Sequence, residues 1–584
     1  MSLQIVNQPY TQATPVTPPP KVIPQAGSPV VKPTLSPSAP TPTNQVTSDQ
    51  WQANFLPLSL AASAPLASSA ALPQVQEVKP IAELSPTGLP WDLKFKDDLQ
   101  HGKAVIYALN LRTFGAHDDN NDGLISPAAG ESGSFLSAIA RLPELKAQGF
   151  NTIHLLPILP IGRSPRLGEA GSLYAPSSYT ALNPEFDELA NGVDELTEAQ
   201  TFVKAAHANG LTVMVDVPSC ASHDLAKAHP DLIAYDEDGN TLTPINWVDV
   251  VMMDKDSPEL REYMGQFFDL MANKVGVDGF RCDIARARTP EFWQHFTSQY
   301  PNKGWFAESY VEEDDSPLQN LPRDYPGDLM RSGFDSVYGQ FHIFHGWTAP
   351  QYTDYVKDQW GVMKGMASPK AFTGTFYTHD DPSLMTNGGV PMMNICSAMM
   401  ALQPFTNAYV MDGYMSGDEH RYDIFDYKPP TVGNHPEVGE FFTAMQGIRN
   451  ADPAAAVDGS CTLLPVKADK PNHHVIAFTR NAADGHGLMV LANNDVNHEA
   501  KASITVAGLL PDQPLPADLV DHVRFANSGE ASKLAVIAPN KLDVTLAPGA
   551  IHIFPLANTK VIADSLPTLY PWGAEAKPPS AVTG

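Results

Sequence analysis

The stretch Val277-Asp278-Gly279-Phe280-Arg281-Cys282-Asp283-Ile284-Ala285 decides how this chain is read. It is a short apolar run with an arginine and a carboxylate two residues apart, and the period-two alternation of a strand sends Arg281 and Asp283 to one face. A guanidinium is permanently charged, so it is expected to hold Asp283 ionised and poised as a nucleophile. About 25 residues later, the length of one strand-helix-strand step, comes Gly304-Trp305-Phe306-Ala307-Glu308-Ser309, a second apolar strand ending in a carboxylate. The two acids are expected to face one another.

On either side of this pair, short apolar strands alternate with helical patterns, the signature of a parallel sheet wound with helices. Eight candidate strands are expected at 104–114, 151–158, 212–218, 279–285, 304–309, 334–338, 371–380 and 406–411. Eight is the closure number of an α/β (β/α)₈ TIM barrel, in which reacting groups gather at the carboxyl ends of strands. One connecting helix is explicit: Ser257 can cap it, Pro258 start it, and Leu260, Tyr263, Met264, Phe267, Phe268 and Met271 form an apolar stripe.

After the third strand, 219–256 is longer than an ordinary loop and contains the turn Asp236-Glu237-Asp238-Gly239-Asn240. From about 452 strands alternate without helices, including 475–480, 487–492, 542–546 and 551–555, as in an antiparallel β-sandwich. The expected organisation is a disordered Pro/Ser/Thr/Ala-rich tail over 1–85 and a barrel over 86–451 with a short insertion at 219–256. A C-terminal β-sandwich over 452–560 and a loose tail over 561–584 follow. The first segment, with Thr17-Pro18-Pro19-Pro20 and Ser36-Pro37-Ser38-Ala39-Pro40, has too little apolar surface to offset its ordering entropy.

The 584 residues carry a formal charge of −28. Such acidity repels phosphate backbones and anionic lipid, so neither nucleic acid nor a membrane surface is an expected partner, whereas a neutral sugar is compatible. The start, Met1-Ser2-Leu3-Gln4-Ile5-Val6-Asn7-Gln8, lacks a basic region and an apolar run, and the expectation is a cytoplasmic protein. Cys220, Cys282, Cys396 and Cys461 are scattered and show no C-x-x-C spacing, as for reduced thiols.

Two further motifs accompany the central pair: Val213-Met214-Val215-Asp216 upstream and Thr378-His379-Asp380-Asp381 downstream. In order, spacing and strand context the set resembles the α-amylase superfamily, glycoside hydrolase family thirteen. The resemblance implies a retaining α-glycoside hydrolase acting on α-glucans or α-glucosides through a glycosyl-enzyme intermediate. Asp283 would be the nucleophile, Glu308 the general acid/base, and Asp380 the third acid that binds sugar hydroxyls. It further implies substrate contacts from Arg281, Asp216, His379 and Tyr174, the last in Gly171-Ser172-Leu173-Tyr174-Ala175-Pro176, either as a stacking platform for sugar or as a loop residue covering the barrel. A glucan transglycosylase shares this chemistry and differs only in whether sugar or water takes the acceptor place. A non-catalytic carbohydrate-binding homologue is a third reading, although no acid of the triad is missing. The insertion at 219–256 resembles a short form of the family's domain B.

The residues also support the roles directly, because the apolar run before Glu308 would raise its pKa towards that of an acid catalyst. The chain departs from the family at the third strand, where Asp216-Val217-Pro218-Ser219-Cys220-Ala221-Ser222-His223 places Cys220 and Ala221 where Asn and His are usual. After the nucleophile, the frequent Lys-His is Arg286-Ala287.

Finally, Asp118-Asp119-Asn120-Asn121-Asp122-Gly123-Leu124-Ile125-Ser126 puts oxygen donors at alternate positions. Asp118, Asn120, Asp122, the Leu124 carbonyl and Ser126 could hold a structural calcium, as several members of the resembled family do in this loop, or form a plain polar turn. The EF-hand's terminal glutamate is missing at its place, with Glu131 nearby.

Overall fold

The computed structural model describes residues 84–556, apart from 123–124, 189–190, 245–246, 310–325, 431–433, 456–459, 483, 508–514 and 516–531. Most of the tail expected over 1–85 and the whole of 561–584 therefore lie outside the described residues.

Eight parallel strands close into a barrel in sequential order: Val105–Leu109, Thr152–Leu155, Thr212–Val217, Gly279–Cys282, Gly304–Ala307, Ser336–Val337, Ala371–Gly374 and Thr406–Met411. All are shorter than or equal to their sequence expectation. The first stops at Leu109, because Asn110 accepts the amide of Arg112 and caps a short helix, Leu111–Phe114. The seventh stops at Gly374 instead of reaching Asp380, which sits in a turn beyond the strand.

Register explains why the acids meet. Cys282 pairs with Val217 on one side and with Ala307 on the other, so Asp283 and Glu308, each one residue further on, emerge side by side at the carboxyl rim. Asp278 fixes this register from below: its Oδ2 accepts the amide of Val213 at 2.7 Å and lies 2.9 Å from His207 Nε2.

The opposite end is plugged by the helix Trp91–Gln100, whose Phe95 and Leu99 are fully buried. Gly279 and Gly304 make room for it: a Cβ on Gly279 would stand 2.4 Å from the Phe95 ring, and one on Gly304 2.5 Å. The expected helix runs from Pro258 to Asp269, with the Ser257 side chain accepting the Leu260 amide and Leu260, Met264, Phe267 and Phe268 buried.

The insertion is a small antiparallel pair, Cys220–Ser222 with Val250–Met252, joined through the helix His223–Ala228. The C-terminal part consists of two four-stranded antiparallel sheets. In the first, Val475, Ala477, Met489, Leu491 and Phe554 face the second sheet. The alternate residues Ile476, Phe478, Leu488, Val490 and Ile553 pack with the barrel core, so both faces of this sheet are buried. Arg480 spans the junction, donating to Leu402 O at 2.6 Å, and Arg449 donates to Met400 O and Thr406 O at 3.0 Å. Among the described residues no helix is long and apolar enough to cross a membrane.

Candidate active site

Arg281 is the hub of the rim. It is fully buried on the fourth strand, where alternation turns it inward beside its register partner Asp216. Nη1 donates to both oxygens of Asp216 at 2.9 Å and to Asp283 Oδ1 at 2.9 Å. Nη2 stands 2.9 Å from Glu308 Oε2, and Nε donates to Tyr338 Oη at 3.0 Å. One guanidinium therefore meets carboxylates from three consecutive strands, a charge-assisted set with fixed planar geometry.

Asp216 also receives the Tyr174 hydroxyl at 2.7 Å and lies 3.2 Å from His154 Nε2. Burial drives its carboxyl pKa up, but Arg281 and His154 outweigh that and hold it below the usual range. Asp283 differs. Burial is again the largest influence and here prevails over Arg281, with Asp216 adding repulsion, so its carboxyl sits above the ordinary value. The guanidinium expected to serve Asp283 is thus shared with Asp216 and Glu308, and burial leaves the Asp283 carboxyl above its ordinary value although Arg281 lowers it. Glu308 is raised furthest, by burial and then by Asp283 and Asp380 against the opposing pull of Arg281. Its carboxyl stands beside Asp283 and helps to hold the Asp283 value down against burial. The pair thus favours a proton on Glu308 and charge on Asp283.

Asp380 reaches the same place from the turn after the seventh strand and acts electrostatically on both acids. Its side chain is 48% exposed, in contrast to the buried pair. The turn is held by Asp381, whose Oδ2 accepts from Thr378 N at 3.0 Å, while Thr378 Oγ1 accepts the Asp380 amide at 3.2 Å. His379 is buried and lies parallel to the Tyr174 ring, with centroids 4.9 Å apart. The two residues therefore support each other through one face of each ring. Arg421 donates to His379 O at 2.8 Å.

The expected site residues Asp216, Arg281, Asp283, Glu308, His379, Asp380 and Tyr174 thus come together. His223 does not: it opens a helix, and its Nε2 contacts Val248 O at 3.1 Å. Cys220 and Ala221 are buried in the small antiparallel pair, with Cys220 Sγ 3.8 Å from Met252 Sδ. Sequence reading missed His154, Ser219, Arg288 and Tyr338. A histidine inside the apolar second strand and an arginine inside Ala-Arg-Thr after Asp283 are visible anomalies, but nothing local says what they contact.

The Asp118 loop folds on its own backbone. Asp122 N donates to Asp118 Oδ1 at 3.2 Å and to Asn120 Oδ1 at 2.8 Å. Glu131 is buried, and its two oxygens accept Asp119 N at 3.2 Å and Ser126 N at 2.8 Å, so it ties the loop shut. Among the described residues no group of three His, Cys, Asp or Glu could hold a metal. Leu124 lies outside the described residues.

No family model matches the chain. Three curated relatives are alpha-1,4-glucan:maltose-1-phosphate maltosyltransferases. Those of Bifidobacterium animalis subsp. lactis and Rhodospirillum rubrum are each 24% identical over 455 and 414 residues, covering 68% and 64% of this chain and 56% of each relative. The Bifidobacterium longum enzyme is 26% identical over 461 residues, covering 70% of this chain and 57% of its own. The chain thus spans little more than half the length of these relatives. Among solved structures, an alpha-amylase from Lactobacillus plantarum shares the fold with a TM-score of 0.58 and 22% identity, covering 78% of this chain and all 100% of its own. A maltogenic alpha-amylase from Thermotoga neapolitana does so with a TM-score of 0.60 and 20% identity, over 79% and 99%.

Proposed function

We propose that this chain, a divergent member of the α-amylase superfamily, is a retaining α-glucan transglycosylase that transfers a short α-glucosyl unit such as maltosyl to the end of an α-1,4-glucan. The observation that carries the chemistry is the Arg281 guanidinium, 2.9 Å from each of Asp283 Oδ1 and Glu308 Oε2. A retaining pair works at roughly 5 Å between carboxyls and an inverting pair at roughly 6.5–9.5 Å, and two acids held by the two terminal nitrogens of one guanidinium fit the former. The choice of transfer over hydrolysis, the main sequence expectation, is supported by the maltosyltransferase relatives.

In this reading Asp283 attacks the anomeric carbon while Glu308 gives its proton to the departing oxygen, leaving a glycosyl ester on Asp283. Glu308, now charged, takes the proton of the acceptor hydroxyl. The acceptor oxygen then attacks the same carbon and Asp283 leaves, two inversions giving net retention. Asp380, half-exposed beside them, binds sugar hydroxyls. A phosphate leaving group, with a second pKa of about 6, asks less of Glu308 than a sugar hydroxyl does.

The test is product analysis after incubation with maltose 1-phosphate and a maltooligosaccharide acceptor, and with the oligosaccharide alone. Longer glucans together with released phosphate, or redistributed chain lengths from the oligosaccharide alone, support transfer. Free maltose or glucose as the sole product would return the chain to the hydrolases. No conversion of any α-glucoside would leave it a carbohydrate-binding homologue.

A further inference from the structure

The buried turn after the third strand carries a second arrangement. Ser219 donates its amide to Asp283 Oδ2 at 3.2 Å and its hydroxyl to the Asp283 carbonyl oxygen. The Asp283 amide in turn donates to Val217 O at 3.1 Å. The turn thus holds both the backbone and the side chain of Asp283.

The turn itself is fixed from behind. The Tyr179 hydroxyl lies 2.9 Å from Pro218 O and 2.7 Å from Cys220 O, the carbonyls flanking Ser219. The carbonyl of Ser219 accepts Arg288 Nη2 at 2.9 Å, while Nη1 donates to Ala287 O at 3.1 Å. Arg288 is 4% exposed, and among the described residues no carboxylate lies within ion-pair reach of it. Burial accordingly weighs against its charge. A buried cation without a carboxylate partner is costly, and packing alone would be served by an apolar side chain. These contacts lie directly before Cys220 and Ala221, which leave the turn without the polar side chains usual there.

We propose that Arg288 and Ser219 are positioning residues for Asp283: Arg288 fixes the Ser219 peptide, whose amide holds the carboxylate in line, and its charge stabilises the ionised form. The proposal rests on Asp283 being the nucleophile. Asp283 is otherwise faced by Arg281 on its own strand and by Asp216, Glu308 and Asp380 from the third, fifth and seventh. Tyr174, Tyr179 and Cys220 also face it, and burial keeps all three in their neutral forms.

The experiment measures fluoride release from α-maltosyl fluoride by the full chain against pH. Arg288→Met is expected to lower kcat about a hundredfold with KM within about threefold, and to move the acid limb of kcat/KM upward by about half a pH unit or more. Arg288→Lys should recover part of both. Should Arg288→Met fail to fold, Arg288→Lys and Ser219→Ala read the same limb, with smaller upward shifts expected. A limb that stays at the parental pH in the folded variants overturns the proposal and reduces Arg288 to a structural strut. Asp283→Asn is the separate control: full activity there would sink the nucleophile assignment itself, whereas its inactivity with an unmoved Arg288 limb sinks the clamp alone.

Discussion

The amide of Ile284 donates to Glu308 Oε2 at 2.7 Å, so the residue immediately after Asp283 fixes the carboxyl of the neighbouring strand. Ile284 achieves this at φ 38°, ψ 58°, a left-handed conformation that a β-branched residue rarely adopts. Strain of this kind persists where surrounding structure over-determines it, and here it turns the chain so that two acids share one amide-lined rim.

Substitutions in the pair should separate the two chemical steps. Asp283→Asn is expected to lower turnover by several orders of magnitude on every donor, each ~1.4 kcal/mol of lost transition-state stabilisation being tenfold. Glu308→Gln should do so on maltooligosaccharides but spare the first step on α-maltosyl fluoride, whose leaving group needs little protonation. A fluoride burst in Glu308→Gln equal to that of the parent, with turnover lost, is the expected trace. An equal loss on both donors would place Glu308 outside proton transfer.

The pH dependence follows from the raised carboxyls. Glu308 is lifted well above its ordinary 4.5, so the folded protein holds a proton that the unfolded chain releases. Its stabilising contribution is complete below about that ordinary value and is lost as pH rises through the raised one. The melting temperature of the parent is therefore expected to fall relative to Glu308→Gln as pH increases above about 4.5. Parallel curves would contradict the raised value.

Gly304→Ala should destabilise the barrel, since its new Cβ would lie 2.5 Å from Phe95 Cδ1 and 3.0 Å from Leu99 Cδ1. Overpacking of this kind costs about 1–3 kcal/mol. Phe95→Ala alone leaves a cavity, but in the double variant the two losses are expected to add to less than their sum, read from urea midpoints as a cycle. Strict additivity would mean that the two residues do not compete for the same space.

The polar loop carries the calcium proposal, with Asp118, Asn120, Asp122, Ser126 and the Leu124 carbonyl as donors. Chelator is then expected to lower the melting temperature, calcium to restore it, and magnesium to act weakly because it demands a tighter octahedral shell. Identical curves with and without chelator would leave only the hydrogen-bonded turn closed by Glu131.

The barrel and the central acids were legible because both rest on local regularities: alternation along 279–285 and the repeat that brings Glu308 to the next strand end. The position of Asp380 was legible only as a motif, since its strand ends at Gly374 and a turn held by Asp381 carries it to the rim. The contacts of His154, Arg288 and Ser219 were not legible. His154 meets Tyr409 Oη at 3.0 Å across 255 positions, and Arg288 meets Ser219 O across 69. Such pairings depend on barrel closure, which no window of sequence contains. The sharing of Arg281 was hidden for a related reason: one arginine beside one acid looks like a private pair, whereas the folded rim divides that charge among three.

The sheet buried on both faces has a consequence for engineering and for descent. Its strands cannot be exchanged for those of another sandwich as a cassette, because Ile476, Phe478 and Val490 on its two central strands complete the barrel's own packing and Arg480 binds the carbonyl of Leu402 at the end of the helix Leu384–Leu402. A graft that ignored those residues would leave the barrel with an open flank, so inheritance of the two halves is expected to be joint.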